Sequence, residues 1–215
     1  MSGFTASRLE ERLALLPAPR RRGSPQPLKS GEPPRGDHEL NPELYDPDAP
    51  LRQAAVLVPI VLNAEEPSLL LTRRTAHLKH HSGQIAFPGG RIEPEDPDPE
   101  AAALRETEEE VGLPQQQIDL VGRLDTYVTR TGFNVFPVIG LLRPPYHLVL
   151  QESEVESAFE VPLSFLLDPA SRQTDSRLYA GKTRFFYAYP YQGYYIWGAT
   201  AGMINNLAEV LTGEE

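Results

Sequence analysis

The feature that most constrains the fold is one predicted helix, both of whose ends are defined within residues 98–112, DPEAAALRETEEEVG. Asp98 can cap this helix, and Pro99 suits its first position because the amide that proline lacks would have no helical partner there. Gly112 favours the end of the helix, since glycine readily adopts the left-handed conformation of a C-terminal cap. The sequence therefore predicts a helix from about Pro99 to Val111.

The same helix concentrates acidic residues near its C-terminal end. On a helical wheel, Leu104 and Val111 mark the expected buried side. The acids that fall on the opposite side are Glu106, Glu109 and Glu110. Like charges one turn apart repel each other, and the helix dipole disfavours negative charge at this end. A solvated acidic face is the ordinary explanation of such a run, and the alternative is a bound cation that offsets the repulsion.

A Pro-Gly-Gly turn at residues 88–90 precedes this helix and can bring backbone carbonyl groups close to the acids. Carboxylates that converge with a carbonyl oxygen make a site for a hard cation such as Mg²⁺ or Mn²⁺. We therefore expect a divalent cation near Glu106, Glu110 and the carbonyl group of Gly89.

The composition narrows the class of protein. The 215 residues carry a formal net charge of −10, which argues against non-specific binding of nucleic acid. The absence of cysteine excludes disulfides and thiolate chemistry. No apolar run approaches the length of a membrane span, and the first residues lack the pattern of a signal peptide. We expect a cytoplasmic protein without a membrane or nucleic-acid partner.

The order of apolar and turn-forming residues indicates an N-terminal extension and one mixed α/β domain. Residues 7–16 have a helical pattern and a proline-rich stretch follows, so we place the extension at 1–50 and the domain at 51–215. The predicted strands are 54–62, 68–74, 83–87, 118–128, 134–142, 146–150 and 184–197, of which the first two form a hairpin. Residues 153–159 are expected to form a turn or short helix, and residues 198–211 a core-packed helix.

Residues 73–91 form a cationic segment in this acidic chain, with three arginines, one lysine, three histidines and no acid. Such a segment is a candidate site for an anion, and a solvated loop is the alternative explanation. The spacing of the histidines fits no zinc motif.

Residues 90–113, GRIEPEDPDPEAAALRETEEEVGL, resemble the Nudix box, G-x5-E-x7-R-E-U-x-E-E-x-G-U, in which U is bulky and apolar. The matching residues of its core are Arg105, Glu106, Glu109, Glu110, Gly112 and Leu113. Thr107 stands where an apolar residue is usual, and a linker one residue longer places Asp96 nearest to the first glutamate of the box. We assign no role to Asp96. The resemblance implies a Nudix fold, in which a mixed β-sheet is sandwiched between helices.

Residues 70–90, LLTRRTAHLKHHSGQIAFPGG, resemble a second signature, LLTxRSxxxRxxxGxxxFPGG, of the coenzyme A pyrophosphatase branch of that family. The residues that match it are Leu70, Leu71, Thr72, Arg74, Gly83, Phe87, Pro88, Gly89 and Gly90. Thr75 replaces a serine and Lys79 replaces an arginine, so the hydroxyl group and the charge are kept. The resemblance covers roughly residues 51–211.

This resemblance implies metal-dependent hydrolysis of the pyrophosphate of coenzyme A to 3′,5′-ADP and 4′-phosphopantetheine, with Mg²⁺ or Mn²⁺ as cofactor. Glu106, Glu110 and the carbonyl group of Gly89 are the implied metal ligands. Glu109 is both a further ligand and a catalytic candidate. Arg105 lies one helical turn before Glu109 and is expected to pair with it and to orient the carboxylates.

Glu154 is the candidate general base, because metal would engage the helical glutamates. An exposed loop carboxylate is the alternative explanation of Glu154, and Glu152 and Glu156 are neighbours that could take its role. Arg74 and Lys79 are expected to contact phosphate groups of the substrate, including the 3′-phosphate of coenzyme A.

Two other functions stay open at this point. One is a Nudix hydrolase that acts on ADP-ribose, a dinucleotide or a nucleoside triphosphate. The other is a catalytically silent Nudix domain that binds a nucleotide for regulation. The intact glutamates argue against the silent domain, which would have no need to tolerate their repulsion.

Overall fold

The computed structural model describes residues 6–14, 34–76, 83–179 and 181–213. Its α-helices are α1 (Ala6–Ala14), α2 (Pro99–Val111), α3 (Leu163–Leu166) and α4 (Ala199–Thr212). Its first six strands are β1 (Arg35–Gly36), β2 (Arg52–Val61), β3 (Ser68–Arg74), β4 (Ile85–Ala86), β5 (Gly89–Arg91) and β6 (Ile118–Arg123). The other strands are β7 (Tyr127–Thr129), β8 (Phe133–Leu142), β9 (Val155–Pro162), β10 (Gln173–Tyr179), β11 (Lys182–Tyr191) and β12 (Tyr194–Trp197).

The centre of the described chain is a mixed sheet of nine strands in the order β1-β7-β8-β2-β3-β4. In addition, β5 pairs with β2, β6 with β8, and β9 with β3. Strand β2 runs parallel to β8 and antiparallel to β3, so the predicted hairpin of the first two long strands is confirmed. A second sheet contains β10, β11 and β12.

Helices cover both faces of the mixed sheet. Alternate side chains of β2 enter different cores, because successive residues of a strand point to opposite faces. Ala54 and Val58 pack in the core that includes residues of α1 and α4, whereas Ala55 and Leu57 pack with α2. The predicted Nudix fold, a mixed sheet between helices, is therefore confirmed.

Helix α2 has the predicted boundaries. The side chain of Asp98 accepts a hydrogen bond from the amide of Ala101 at 2.8 Å, and Gly112 adopts a left-handed conformation with φ of 67°. Its buried side, however, differs from the expected one. The buried residues are Glu100, Ala102, Ala103, Thr107, Glu110 and Val111, and Leu104 is only half-buried. The small alanines let the helix lie close to β2, so Glu110 belongs to the buried side and does not lie opposite to it.

One predicted element is wrong, and a second is wrong for most of its length. Residues 146–150 form no strand, although the side chains of Tyr146, Leu148 and Leu150 pack in the α2 core. Their backbone instead follows the end of α2, where the amide of Val149 donates to the carbonyl of Val111 at 2.8 Å. Residues 153–159 contain the predicted turn only at Ser153 and Glu154, and from Val155 onward they belong to β9, which pairs antiparallel with β3. Both errors arise because the partner of each segment is distant in sequence.

Described parts of the N-terminal region pack on the rest of the chain. Leu9 and Leu13 of α1 are buried in the same core as α4. Strand β1 pairs in parallel with β7, and Arg35 forms ion pairs with Glu209 and, at 3.6 Å, with Asp125. Among the four described ranges, no helix is long and apolar enough to cross a membrane.

Candidate active site

Two glycines bring strand β5 against the acidic end of α2. At Gly89 a Cβ atom would lie 2.4 Å from the carbonyl oxygen of Ala55, and the φ of Gly89 is 154°, where side chains are rarely tolerated. At Gly90 a Cβ atom would lie 2.4 Å from the carboxyl carbon of Glu106. The Pro-Gly-Gly segment therefore lies beside the carboxylates, while the expected contact of the Gly89 carbonyl group with a cation stays a prediction. The amide of Gly89 donates to Oε2 of Glu110 at 3.2 Å.

Glu110 is the most buried of the three candidate ligands, with 3 % of its surface exposed. Its Oε1 accepts a hydrogen bond from Nη1 of Arg74 at 3.0 Å. Burial raises the pKa of Glu110 to about 7, because the charged carboxylate loses its hydration. Arg74 and the amide of Gly89 oppose this rise in pKa, and the negative charge of Glu154 adds to it.

Glu106 and Glu109 lie nearer to solvent. Burial also raises the pKa of Glu106, and the pairing with Arg105 opposes the rise. The negative charges of Glu109 and Glu154 raise the pKa of Glu106 further, so these acids are close enough to repel one another. The side chain of Glu109 is 59 % exposed.

Arg105 connects the acids to the loop before the helix. Its Nη1 donates to Glu106 at 3.0 Å and to Glu109 at 3.3 Å, so the predicted pair with Glu109 is present. Its Nε and Nη2 donate to the two carboxylate oxygens of Asp96 at 3.0 and 2.8 Å, and Nη2 also donates to the carbonyl of Arg91. The hydrogen bond from Arg105 holds the pKa of Asp96 below its usual value, and the same bond raises the pKa of Arg105.

Asp96, for which the sequence predicted no role, therefore belongs to the cluster around Arg105. Its carboxylate accepts two hydrogen bonds from Arg105 and a third from the amide of Glu93 at 2.8 Å. Its position nearest to the first acid of the Nudix box was the signal that could have identified it. The linker is one residue longer than in the Nudix box. The turn at Glu93–Asp96 nevertheless brings an acid to Arg105, and this acid is an aspartate, whose side chain is shorter than that of glutamate.

Glu154 reaches the site from the turn that precedes β9. Its carbonyl accepts the amide of Thr75 at 2.9 Å, which ties the start of β9 to the end of β3. Its Oε2 lies 3.6 Å from Nη2 of Arg74, and its side chain is 47 % exposed. Glu156, by contrast, pairs with Arg73 at 3.3 Å.

The structure thus brings together most of the residues that the sequence singled out. Those that meet around the end of α2 are Arg74, Gly89, Arg105, Glu106, Glu109, Glu110 and Glu154. Lys79 lies outside the described residues. Glu152 is exposed and has no close contact with the acids of α2 in the described part of the chain.

The residues present suit a divalent cation in their chemistry. All the candidate ligands are oxygen atoms, which Mg²⁺ and Mn²⁺ prefer, and the carboxylates repel one another. As they stand within the described ranges, no three acidic or histidine side chains are arranged to hold a metal ion. Arginine side chains neutralise the acids here, with Arg74 on Glu110 and Arg105 on Glu106.

Comparisons with known proteins place this geometry in a family. The model of the NUDIX domain matches residues 51–180. A relative from Citrobacter koseri named uncharacterized Nudix hydrolase NudL is 41% identical over 169 residues, which cover 79% of this chain and 88% of that protein. The protein of the same name from Cronobacter sakazakii is 43% identical over 171 residues, with the same two coverages.

A solved structure shows the same fold. The Nudix hydrolase RenU from M. smegmatis has a TM-score of 0.51 and is 20% identical, covering 76% of this chain and 88% of its own. Nudix hydrolases generally use divalent metal ions, which agrees with the oxygen ligands around α2. From the match over residues 51–180 and the identity with the NudL proteins, the chain belongs to the Nudix hydrolase family.

Proposed function

We propose that this Nudix hydrolase cleaves the pyrophosphate of coenzyme A and its derivatives to 3′,5′-ADP and 4′-phosphopantetheine, with Mg²⁺ or Mn²⁺. The observation that supports it is the position of the described residues 70–76 and 83–90, which lie in the segment that resembles the coenzyme A pyrophosphatase signature. Both described parts of this segment meet the acidic helix: Arg74 contacts Glu110 at 3.0 Å, and the Gly89 amide donates to the same carboxylate. We assign the activity to the domain at 51–215, with 1–50 as an extension.

The acids of α2 suit the chemical demand of this reaction. A pyrophosphate resists attack by water because its own negative charge repels the nucleophile, so positive charge must be supplied. Glu106, Glu109, Glu110 and the carbonyl of Gly89 would hold the cation. When bound, it would neutralise the phosphate oxygens and make a nearby water more acidic.

The other residues have separate roles in this proposal. Arg105 fixes the directions of Glu106 and Glu109, to which it donates hydrogen bonds. Glu154 is exposed enough to receive a proton from the attacking water, and it lies on a loop that meets the site. Arg74 and Lys79 are the residues proposed to contact substrate phosphates.

A substrate panel tests the proposal directly. The full chain is incubated with Mg²⁺ or Mn²⁺ and coenzyme A, 3′-dephospho-coenzyme A, ADP-ribose, a diadenosine dinucleotide or a nucleoside triphosphate, and products are identified by mass. We expect the highest kcat/KM for coenzyme A or its derivatives. The variant Glu110→Gln, which keeps the size of the side chain but removes its charge, should hydrolyse none of the substrates. A higher kcat/KM for another substrate would reassign the enzyme. Nucleotide binding without any hydrolysis would instead indicate a silent domain.

A further inference from the structure

We propose that Arg74 is an internal counter-ion that a metal ion must displace from Glu110 before the site becomes active. The inference rests on the proposed metal site of the acidic helix and adds a step to it. In the metal-free protein Arg74 would stabilise the buried carboxylate. After displacement its guanidinium group would be free to contact a substrate phosphate.

The backbone fixes Arg74 at a place that faces the acids. The pairing of β3 with β9 shifts register between Arg73 and Arg74, which is the position of a β-bulge. The amide of Arg74 donates to the carbonyl of Gln84 at 2.9 Å, and its carbonyl accepts the amide of Gly83 at 3.1 Å. These contacts hold the Arg74 backbone, so only its side chain needs to move.

The contacts of Glu110 show which hydrogen-bond donors occupy the oxygens that a metal ion would need. Its Oε2 accepts the amide of Gly89 at 3.2 Å and its Oε1 accepts Nη1 of Arg74 at 3.0 Å. The amide of Gly89 belongs to a paired strand and cannot leave without breaking that strand. Arg74 is therefore the partner that can move away. While its hydrogen bond is in place, Oε1 of Glu110 is not available to a metal ion. A doubly charged ion beside Oε1 would also repel the guanidinium group.

Arg74 is held less firmly than the other arginine of the site. Arg105 is held by both oxygens of Asp96 at 3.0 and 2.8 Å. The side chain of Arg74 meets its two acids one nitrogen at a time, with Nη2 at 3.6 Å from Glu154, and it is 22 % exposed. Because each of these contacts is single, the side chain of Arg74 can change rotamer more easily than that of Arg105. Its departure would release Glu110 and Glu154 together, which links metal binding to the candidate base.

Metal affinity in the absence of substrate tests this exchange. Binding of Mn²⁺ to the full chain is measured by titration calorimetry and by electron paramagnetic resonance of free Mn²⁺, for the wild type and Arg74→Ala. We expect Arg74→Ala to bind Mn²⁺ at least about tenfold more tightly, because a charge-assisted hydrogen bond no longer has to break. Arg74→Lys, which keeps the charge without the planar fork, should lie between the two.

The matched control is Arg73→Ala, which removes the adjacent arginine that pairs with Glu156, and its Mn²⁺ affinity should equal that of the wild type. Arg74→Gln replaces Arg74→Ala if thermal unfolding shows that the alanine variant is not folded. Equal or weaker Mn²⁺ binding by a folded Arg74 variant overturns the inference and leaves the proposed function standing. If the wild type binds neither Mn²⁺ nor, in the same calorimetric titration, Mg²⁺, both this inference and the proposed metal-dependent function are overturned.

Discussion

Asp96 holds Arg105 with both of its carboxylate oxygens, at 3.0 Å from Nε and 2.8 Å from Nη2. This pairing leaves Nη1 of Arg105 to donate to Glu106 and Glu109. The Asp96 side chain is 7 % exposed, whereas Arg105 keeps 29 % of its side chain in contact with solvent. Through Arg105, Asp96 thereby helps to set the direction of two carboxylates of α2.

The first prediction concerns this pairing. Asp96→Asn replaces one accepting oxygen by an amide and removes the charge, so Arg105 should turn away from Glu106 and Glu109. We expect a loss of about 10–100-fold in Mn²⁺ affinity and in kcat/KM, as is typical of residues that orient metal ligands. Glu95→Gln, at an exposed neighbouring position, is the control and should leave both quantities unchanged. Wild-type Mn²⁺ affinity in a folded Asp96→Asn protein would remove Asp96 from the site.

The second prediction concerns stability and pH. The pKa of Glu110 is about 7 in the folded protein, against an ordinary value of 4.5, so the folded state binds a proton that the unfolded state has released between these pH values. The free energy of unfolding should therefore fall as pH rises from about 4.5 to 7, by an amount on the order of 3 kcal/mol. Because glutamine does not titrate, Glu110→Gln should lack this contribution to the pH dependence of the free energy of unfolding.

Urea unfolding in the presence of a chelator, at pH 5 and pH 8, measures this difference. Glu110→Gln should be more stable than the wild type at pH 8, and its fall in stability between the two pH values should be smaller. Glu108→Gln, on the exposed side of the same helix, should behave like the wild type. The assignment to Glu110 would be wrong if Glu110→Gln and the wild type lost the same stability between pH 5 and pH 8.

A third prediction concerns the extra phosphate of coenzyme A. If Lys79 and Arg74 contact the 3′-phosphate, Lys79→Ala and Arg74→Ala should raise KM for coenzyme A more than KM for 3′-dephospho-coenzyme A. A lost charge-assisted contact is worth roughly 1.5–3 kcal/mol, or about 10–100-fold in binding. Arg73→Ala is again the matched control, since Arg73 pairs with Glu156. An equal rise in KM for both substrates would show that neither residue contacts the 3′-phosphate.

Local interactions explain why part of this fold could be predicted from sequence. The ends of α2 depend on Asp98 and Gly112, which act on amides and carbonyls within four residues of themselves. The hairpin of β2 and β3 has a short connection between two apolar runs, so its pairing is also visible locally. The carboxylates could be placed on one helix for the same reason.

Other features depend on partners that are far apart in the chain. The buried side of α2 is set by the approach of Ala102 and Ala103 to β2. This approach places Glu110, which the helical wheel assigned to the solvated side, on the buried side. The pairing of Arg74 with Glu110 needs the bulge at the end of β3 and the return of the chain at Gly89. No periodicity within a single segment contains this information.

Glu154 and Glu156 lie two residues apart and have different surroundings. Glu154 lies 3.6 Å from Nη2 of Arg74, and its charge raises the pKa of both Glu106 and Glu110. Glu156 pairs with Arg73 at 3.3 Å. The chain therefore supplies its own matched control for a test of the candidate base.

The last prediction is that Glu154 takes the proton of the attacking water. Glu154→Gln keeps the size of the side chain but cannot accept that proton, so kcat should fall by about 10²–10⁴-fold. The Mn²⁺ affinity should change little, because the proposed ligands lie on α2 and at Gly89, while Glu156→Gln should keep wild-type kcat. Hydrolysis in ¹⁸O-water should label one product only and so identify the phosphorus that is attacked. An unchanged kcat for Glu154→Gln would remove it from the mechanism and direct the search to Glu152 and Glu109.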